Sequence, residues 1–239
     1  MAMSPRLLRP IASGFNPKSL SGLFGWWDFS DAATLTLNGA APTQTISEVR
    51  DKSGNNRHFL HTTALNQPAY TPNAQNGRAA ATFNGANTFL DIASVTLNQP
   101  FTAIGVYLNT ATSAFRVLLA GTPSAGSGGF IMFARNPYGN QGMTLGALFA
   151  PIPAITDWQV HSNVADGAAS VVARNLDADS TGNAGLNSVS TLRMGANHIN
   201  GAGALQGPVG AVLIYDRVLT RAEREQLVRY LAPQWGITV

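Results

Sequence analysis

Residues 207–239 read GPVGAVLIYDRVLTRAEREQLVRYLAPQWGITV, and the order of chemistry in this stretch sets the architecture. Val209 to Tyr215 is an apolar, β-branched run of strand length. Asp216-Arg217 turns polar, Leu219 turns apolar again, and Thr220 stands where a helix would begin. Its hydroxyl can accept from a free amide of the first turn while Glu223 reaches back, a capping box. Beyond it, Leu227, Val228 and Leu231 share one helical face. Arg221, Arg224, Glu225 and Arg229 fall mostly on the other. Pro233 is expected to stop the helix. No other segment carries so convincing a helix pattern, so this helix must rest on a mostly β core.

Composition agrees. The chain has 239 residues, 45% of them hydrophobic, enough for a sizeable core. Only 11% are charged, well below the usual quarter. Abundant Gly, Pro, Asn, Thr and Ser suit short strands joined by tight turns. The net charge of +3 is small and its cations are scattered, which argues against a nucleic-acid footprint. No stretch approaches a transmembrane span, so no membrane partner is expected. The absence of cysteine excludes disulfides, thiolate nucleophiles and Cys-ligated zinc. The N-terminus lacks an apolar run of signal-peptide length, so synthesis in a cytoplasm without an export signal of its own is expected.

Residues 1–19, broken by Pro5, Pro10 and Pro17, read as an extended arm, either a loose terminus or an anchor that orders against a neighbouring chain. Residues 20–239 show no composition shift and read as one domain. The first strand lies in 20–29, where adjacent Trp26 and Trp27 must point to opposite faces. One belongs to the core, and the other faces a second layer or a ligand. Further strands are read at 78–83, 89–92, 101–109, 115–121, 129–135, 143–149, 158–166, 169–174 and 191–195. Asp166-Gly167 is read as a hairpin turn and 175–190 as a polar loop. With the last strand this gives about twelve strands in one antiparallel β-sandwich carrying one helix.

Catalytic patterns are missing. Glycoside cleavage needs two carboxylates set across the scissile bond. The glutamates are Glu48, Glu223 and Glu225, and only Glu48 lies on a strand, without an acidic partner at strand spacing. Asp177 and Asp179 are close together, but in the polar loop, where they read as a solvated turn. His58 and His61 lack the HExxH context, and no G-x-S-x-G elbow occurs. The chain is therefore not expected to be an enzyme. Asp51, Ser53 and Asn55 alternate within a turn. They read as side chains capping their own backbone, with a hard cation such as calcium as the alternative. A sugar site needs an exposed aromatic plane with polar partners for hydroxyls. The candidates are Tyr138, among turn formers, with Asn197 and His198 as an exposed rim, and Trp27 as the Trp to face a ligand.

Three segments together resemble a family: LSGLFGWWDFSD (20–31), then DKSGNNRH (51–58) with NGRAAATFNG (76–85), and GAVLIYDRVLT (210–220). In this order they look like the concanavalin A-like lectin/glucanase superfamily in its laminin-G-like branch, in a form similar to domains of bacteriophage virion proteins and bacterial surface proteins. The resemblance covers most of residues 20–237. It implies a jelly-roll of two antiparallel sheets and a role in recognising carbohydrate or protein. It also implies calcium near the loop matching Asp51, Ser53 and Asn55. The acidic pair that members carry late in the fold is replaced here by Gly210 and Ala211, so calcium is disfavoured and no cofactor is expected. The leading expectation is a non-enzymatic virion component at a tail, baseplate or capsid surface. It would meet other virion proteins through residues 1–19, form a homo-oligomer within the assembly, and contact host glycans. The alternative is a carbohydrate-binding module of a secreted, extracellular bacterial protein.

Overall fold

The computed structural model describes residues 14–123, 129–136, 138–197 and 203–239. Its strands, in chain order, are β1 (Leu23–Asp28), β2 (Leu35–Asn38), β3 (Thr45–Val49), β4 (Phe59–Leu60), β5 (Ala69–Gln75), β6 (Arg78–Asn84), β7 (Leu90–Ile92), β8 (Phe101–Tyr107), β9 (Arg116–Ala120), β10 (Gly129–Arg135), β11 (Asn140–Leu145), β12 (Leu148–Pro153), β13 (Gln159–Ala165), β14 (Ser170–Arg174), β15 (Ser180–Gly182), β16 (Leu192–Met194) and β17 (Gln206–Tyr215). The helix α1 spans Arg221–Leu231. No helix among the described residues is long and apolar enough to cross a membrane.

All these strands pair antiparallel in one hydrogen-bonded network. Two ladders can be traced in it. The first runs β15–β14–β13–β8–β17–β1. The second runs β2–β3–β4–β7–β16–β9–β10–β11–β12. β5 and β6 link them, because β6 lies along the start of β17 and β5 touches β3. The outermost strand β12 carries Pro151 and Pro153, which lack the N–H that would recruit a further strand.

The long apolar run of β17 follows from its position. Val209, Val212 and Ile214 join the core between the ladders, which also takes Phe59, Leu118, Ile131 and Met143. Ala211, Leu213 and Tyr215 face the other way, into a layer formed with Leu227, Val228 and Leu231 of α1. A strand covered on both faces has no polar side to alternate. Trp26 and Trp27 obey the same geometry. Trp27 belongs to the inter-ladder core and Trp26 to the helix-side layer.

The helix forms as its cap chemistry predicts. Glu223 N donates to Thr220 Oγ1 and Thr220 N to Glu223 Oε2, at 3.3 and 2.8 Å. Arg217 grips the same carboxylate at 2.6 Å. Two details differ. Arg224, assigned to the outer face, is only 5% exposed, and its guanidinium pairs with Asp179 at 2.6 and 3.1 Å. Asp179 is thus an anchor for α1 rather than a solvated turn. Pro233 does stop α1, which ends at Leu231, but the chain stays ordered beyond it. Pro233 sits in the first turn of a 3₁₀ segment, Ala232–Trp235, that delivers Trp235 onto the sheet. There its indole occupies the space over Gly210, where a Cβ would lie 2.4 Å from the ring. Gly210 thus meets a packing requirement that no acidic side chain could satisfy.

Elsewhere the segmentation shifts. The run 143–149 is two strands rather than one, broken at Gly146, whose φ of +108° turns β11 back into β12. The polar loop 175–190 contains β15. Residues 1–13 of the arm lie outside the described residues. Its last part packs on the domain: Pro17 is buried and accepts from Tyr215 Oη at 3.0 Å, and Phe15 meets Tyr230 edge-on at 5.4 Å.

Candidate functional site: an uncovered sheet face

The first ladder has both faces covered, one by the second ladder and one by α1. The outer face of the second ladder carries no helix among the described residues: Val117, Ala120 and Phe133 are buried on it beneath half-buried Phe115 and Phe130, while Leu60 and Leu148 stay exposed. Strand alternation decides which side chains it carries. Residues such as Phe59, Leu90, Leu192 and Met143 enter the core, so their neighbours point outward. The registers align one outward row across the ladder: Glu48, Leu60, Asp91, Arg193, Ala120, Phe130, Thr144 and Leu148.

This row divides chemically. On one half, Arg193 holds Asp91 with two hydrogen bonds of 2.7 and 2.8 Å and lies 3.8 Å over the Phe89 ring. His61 meets the edge of the same ring at 4.4 Å. Burial lowers the pKa of His61, and the Arg193 charge adds to this while Asp91 opposes it. Glu48 accepts from Thr36 Oγ1 at 2.9 Å. The other half is aromatic and apolar. Phe115 packs edge-on against Phe130 at 5.1 Å and lies 6.0 Å from Phe133, with Val117, Ala120 and Ala150 around them.

Tyr138 stands at the rim of the aromatic half. Asn136 is buried, and its Oδ1 accepts from Tyr138 N and Asn140 N, both at 2.9 Å. That side-chain cap shapes the β10–β11 turn and leaves Tyr138 80% exposed. Asn197 follows β16, its carbonyl accepting from Arg193 at 3.3 Å. Gly203 lies beside the start of β9, where Val117 N donates to its carbonyl at 2.8 Å. The start of β9 adjoins the end of β10 through the pair Arg116 and Arg135. Tyr138 and Gly203 therefore flank the same end of the second ladder, while Asn197 stands at the end of β16 beside Arg193. His198, the other predicted rim residue, lies outside the described residues.

Trp27 is a correction. It is 0% exposed, and its Nε1 donates to Arg57 O at 2.6 Å. The adjacent-Trp pattern correctly separates two faces, but both are covered, so neither ring is available to a ligand. Trp158 is half-buried, stacked on Trp235 at 5.0 Å.

The loop matching the calcium position does not fit a metal. Asp51 accepts from Trp26 N, Ser53 N, Ser53 Oγ and Arg57 N at 2.7–3.2 Å. Asn55 presents its amide nitrogen to the carbonyls of Leu23 and Phe24. Its donors and acceptors are spent fastening the loop onto β1. Among the described residues no three His, Cys, Asp or Glu side chains are grouped to hold a metal.

No known family model matches the chain, and no curated protein matches it by sequence. Solved structures match it in fold. A Trypanosoma rangeli sialidase in complex with sialic acid aligns at TM-score 0.58 and 16% identity over 92% of this chain, which spans 34% of the sialidase. A GH54 α-L-arabinofuranosidase aligns at TM-score 0.59 and 14% identity over 87% of this chain and 58% of its own. Domain 4 of AbnA, a GH43 extracellular arabinanase from Geobacillus stearothermophilus, seen in complex with arabinotriose, aligns at TM-score 0.55 and 14% identity. That alignment covers 86% of this chain and 98% of the domain. At these identities the likeness is one of fold: an all-β, antiparallel architecture also found in glycosidase-associated domains.

Proposed function

We propose that the chain is a non-catalytic recognition domain, a concanavalin A-like jelly-roll sandwich whose open face binds an extended saccharide. The observation that carries this is the asymmetry of the sheets. One outer face is sealed by α1 and Trp235, while the other carries the half-buried rings of Phe115 and Phe130 beside fixed polar groups, with Tyr138 exposed at its rim. Sugar CH faces stack on such rings, and hydroxyls need the polar partners beside them. The non-catalytic reading is supported by the carboxylates of this face, since Asp91 is committed to Arg193 and Glu48 to Thr36. A glycan array probed with the full chain and with the Tyr138→Ala/Asn197→Ala/His198→Ala variant tests it. Binding lost in the variant is expected, and a signal indifferent to all three changes rejects the site. Polysaccharide turnover by the wild type would reject the non-catalytic reading.

For the biological setting we favour a bacteriophage virion, at a tail, baseplate or capsid surface, with residues 1–19 reaching a neighbouring chain. A surface poor in charge and rich in Asn, Thr, Ser and Gly supports it. The likeness to nearly the whole of the arabinotriose-bound arabinanase domain favours the second reading, a saccharide-binding module of a secreted bacterial protein. Mass spectrometry of purified virions separates the two, because absence from the particle removes the first.

A further inference from the structure

The inward face of β13 is polar where the surrounding core is apolar. Gln159, His161 and Asn163 follow one another along it, all fully buried, with Tyr107 of β8 opposite Gln159. Gln141 arrives from β11 on the facing ladder and donates through Nε2 to Tyr107 Oη at 2.8 Å. Tyr107 Oη lies 2.9 Å from His161 Nδ1. Having accepted from Gln141, the phenol is free to give its own proton to Nδ1, which leaves a neutral ring carrying its hydrogen on Nε2. Asn163 Nδ2 donates to Ile131 O at 2.8 Å and Gly142 O at 3.1 Å, so its Oδ1 remains.

Five fully buried atoms here have no hydrogen-bond partner in the protein: Gln141 Oε1, both amide atoms of Gln159, His161 Nε2 and Asn163 Oδ1. Asn163 lies within hydrogen-bonding influence of the His161 ring and raises its pKa against the larger lowering by burial, although the pair falls short of full hydrogen-bond geometry. Left uncompensated, five such atoms would consume a large part of a domain's marginal stability.

We infer that this seam between β13 and the β10–β11 hairpin is a buried hydration site, in which ordered water bridges His161 Nε2 to Asn163 Oδ1 and serves the free amides of Gln141 and Gln159. The mixture of groups selects water. His161 Nε2 and Gln159 Nε2 donate, while Gln141, Gln159 and Asn163 each offer an oxygen that accepts. A cation cannot accept from the two N–H groups, and an anion cannot donate to the three oxygens. The site joins the ladders through solvent-mediated hydrogen bonds where apolar packing is missing.

Water-to-protein NOE spectra and a high-resolution crystal structure of the full chain test this. Long-lived water at His161 Nε2 and Asn163 Oδ1 is expected, with ¹⁵N shifts of the Nε2-protonated tautomer at neutral pH. A dry seam with direct side-chain pairing would overturn it, as would stability that tracks one particular cation. Gln159→Leu adds a thermal readout. If water serves the amide, Tm drops by several degrees and the water signal weakens. If the amide is simply orphaned, Tm rises, and the inference fails.

Discussion

The two outer faces of this domain are built from the same kind of strand and end up with opposite properties. The face of the first ladder is closed by α1, Trp235 and Trp158, so even Arg224 is buried and must be matched by Asp179. The face of the second ladder keeps Leu60 and Leu148 exposed and groups Phe115 and Phe130 near the surface. The difference teaches that a β-layer becomes core or site according to what the chain lays over it. The chain invests its helix on one side only.

The comparison can be broken hardest from the covered side. Trp235→Ala removes the ring that fills the space over Gly210 and stacks on Trp158, and is expected to cost about 3–5 kcal/mol. Urea denaturation measures this, and a loss under 1 kcal/mol would show that the covered face does not depend on its Trp. Phe130→Ala on the open face is the matched control, with a smaller expected loss because that ring is only partly buried.

Between the faces, acid should loosen the joint. Burial holds His161 at a pKa of about 3 against an ordinary 6.5, with the Arg174 charge adding to the effect and Asn163 opposing it; Tyr107 is the titratable group in contact with it. Below pH 6.5 the unfolded chain therefore binds a proton that the folded chain refuses. The stability tied to neutral His161 is intact above pH 6.5 and is lost as pH falls toward 3, at about 1.4 kcal/mol per pH unit. Glu223, lowered to about 2 chiefly by its hydrogen bonds to Arg217, changes stability in the same direction as pH falls through 4.5. The His161 share is therefore read as the difference in slope between wild type and His161→Gln over pH 6–5. Equal slopes would remove His161 from the account.

Thr220→Ala deletes one half of the capping box and should cost about 1 kcal/mol. Glu223 keeps its hold on Arg217, so α1 should stay folded by circular dichroism. The smallest change in stability is expected for Tyr138→Ala, within about 0.5 kcal/mol, although this variant should bind saccharide more weakly in isothermal titration. A Tyr138 variant that unfolds readily would mean the rim is structural.

Much of this was legible in the sequence. The Thr220–Glu223 cap, the apolar stripe of α1, the opposed faces of Trp26 and Trp27, and most strand positions follow from interactions or periodicities within a few residues. Tyr138 was legible as exposed because its neighbours are turn formers. What stayed hidden depends on distant partners. The alternation of 158–166 was visible, but not that the polar set would point into the core, where residues from β8, β10 and β11 meet it. Arg224 looked like a surface residue because Asp179 lies 45 positions away. Gly210 reads locally as a missing carboxylate, and only the Trp235 ring packed upon it gives the reason.

The sequence by itself thus determined the all-β class, the closing strand–corner–helix and the local caps, because hydrogen-bonding periods and turn chemistry act over short range. Only the tertiary structure decided which face is sealed by the helix and which is not. A period-2 strand offers two sets of side chains, and burial is assigned to them by whatever the fold brings against each.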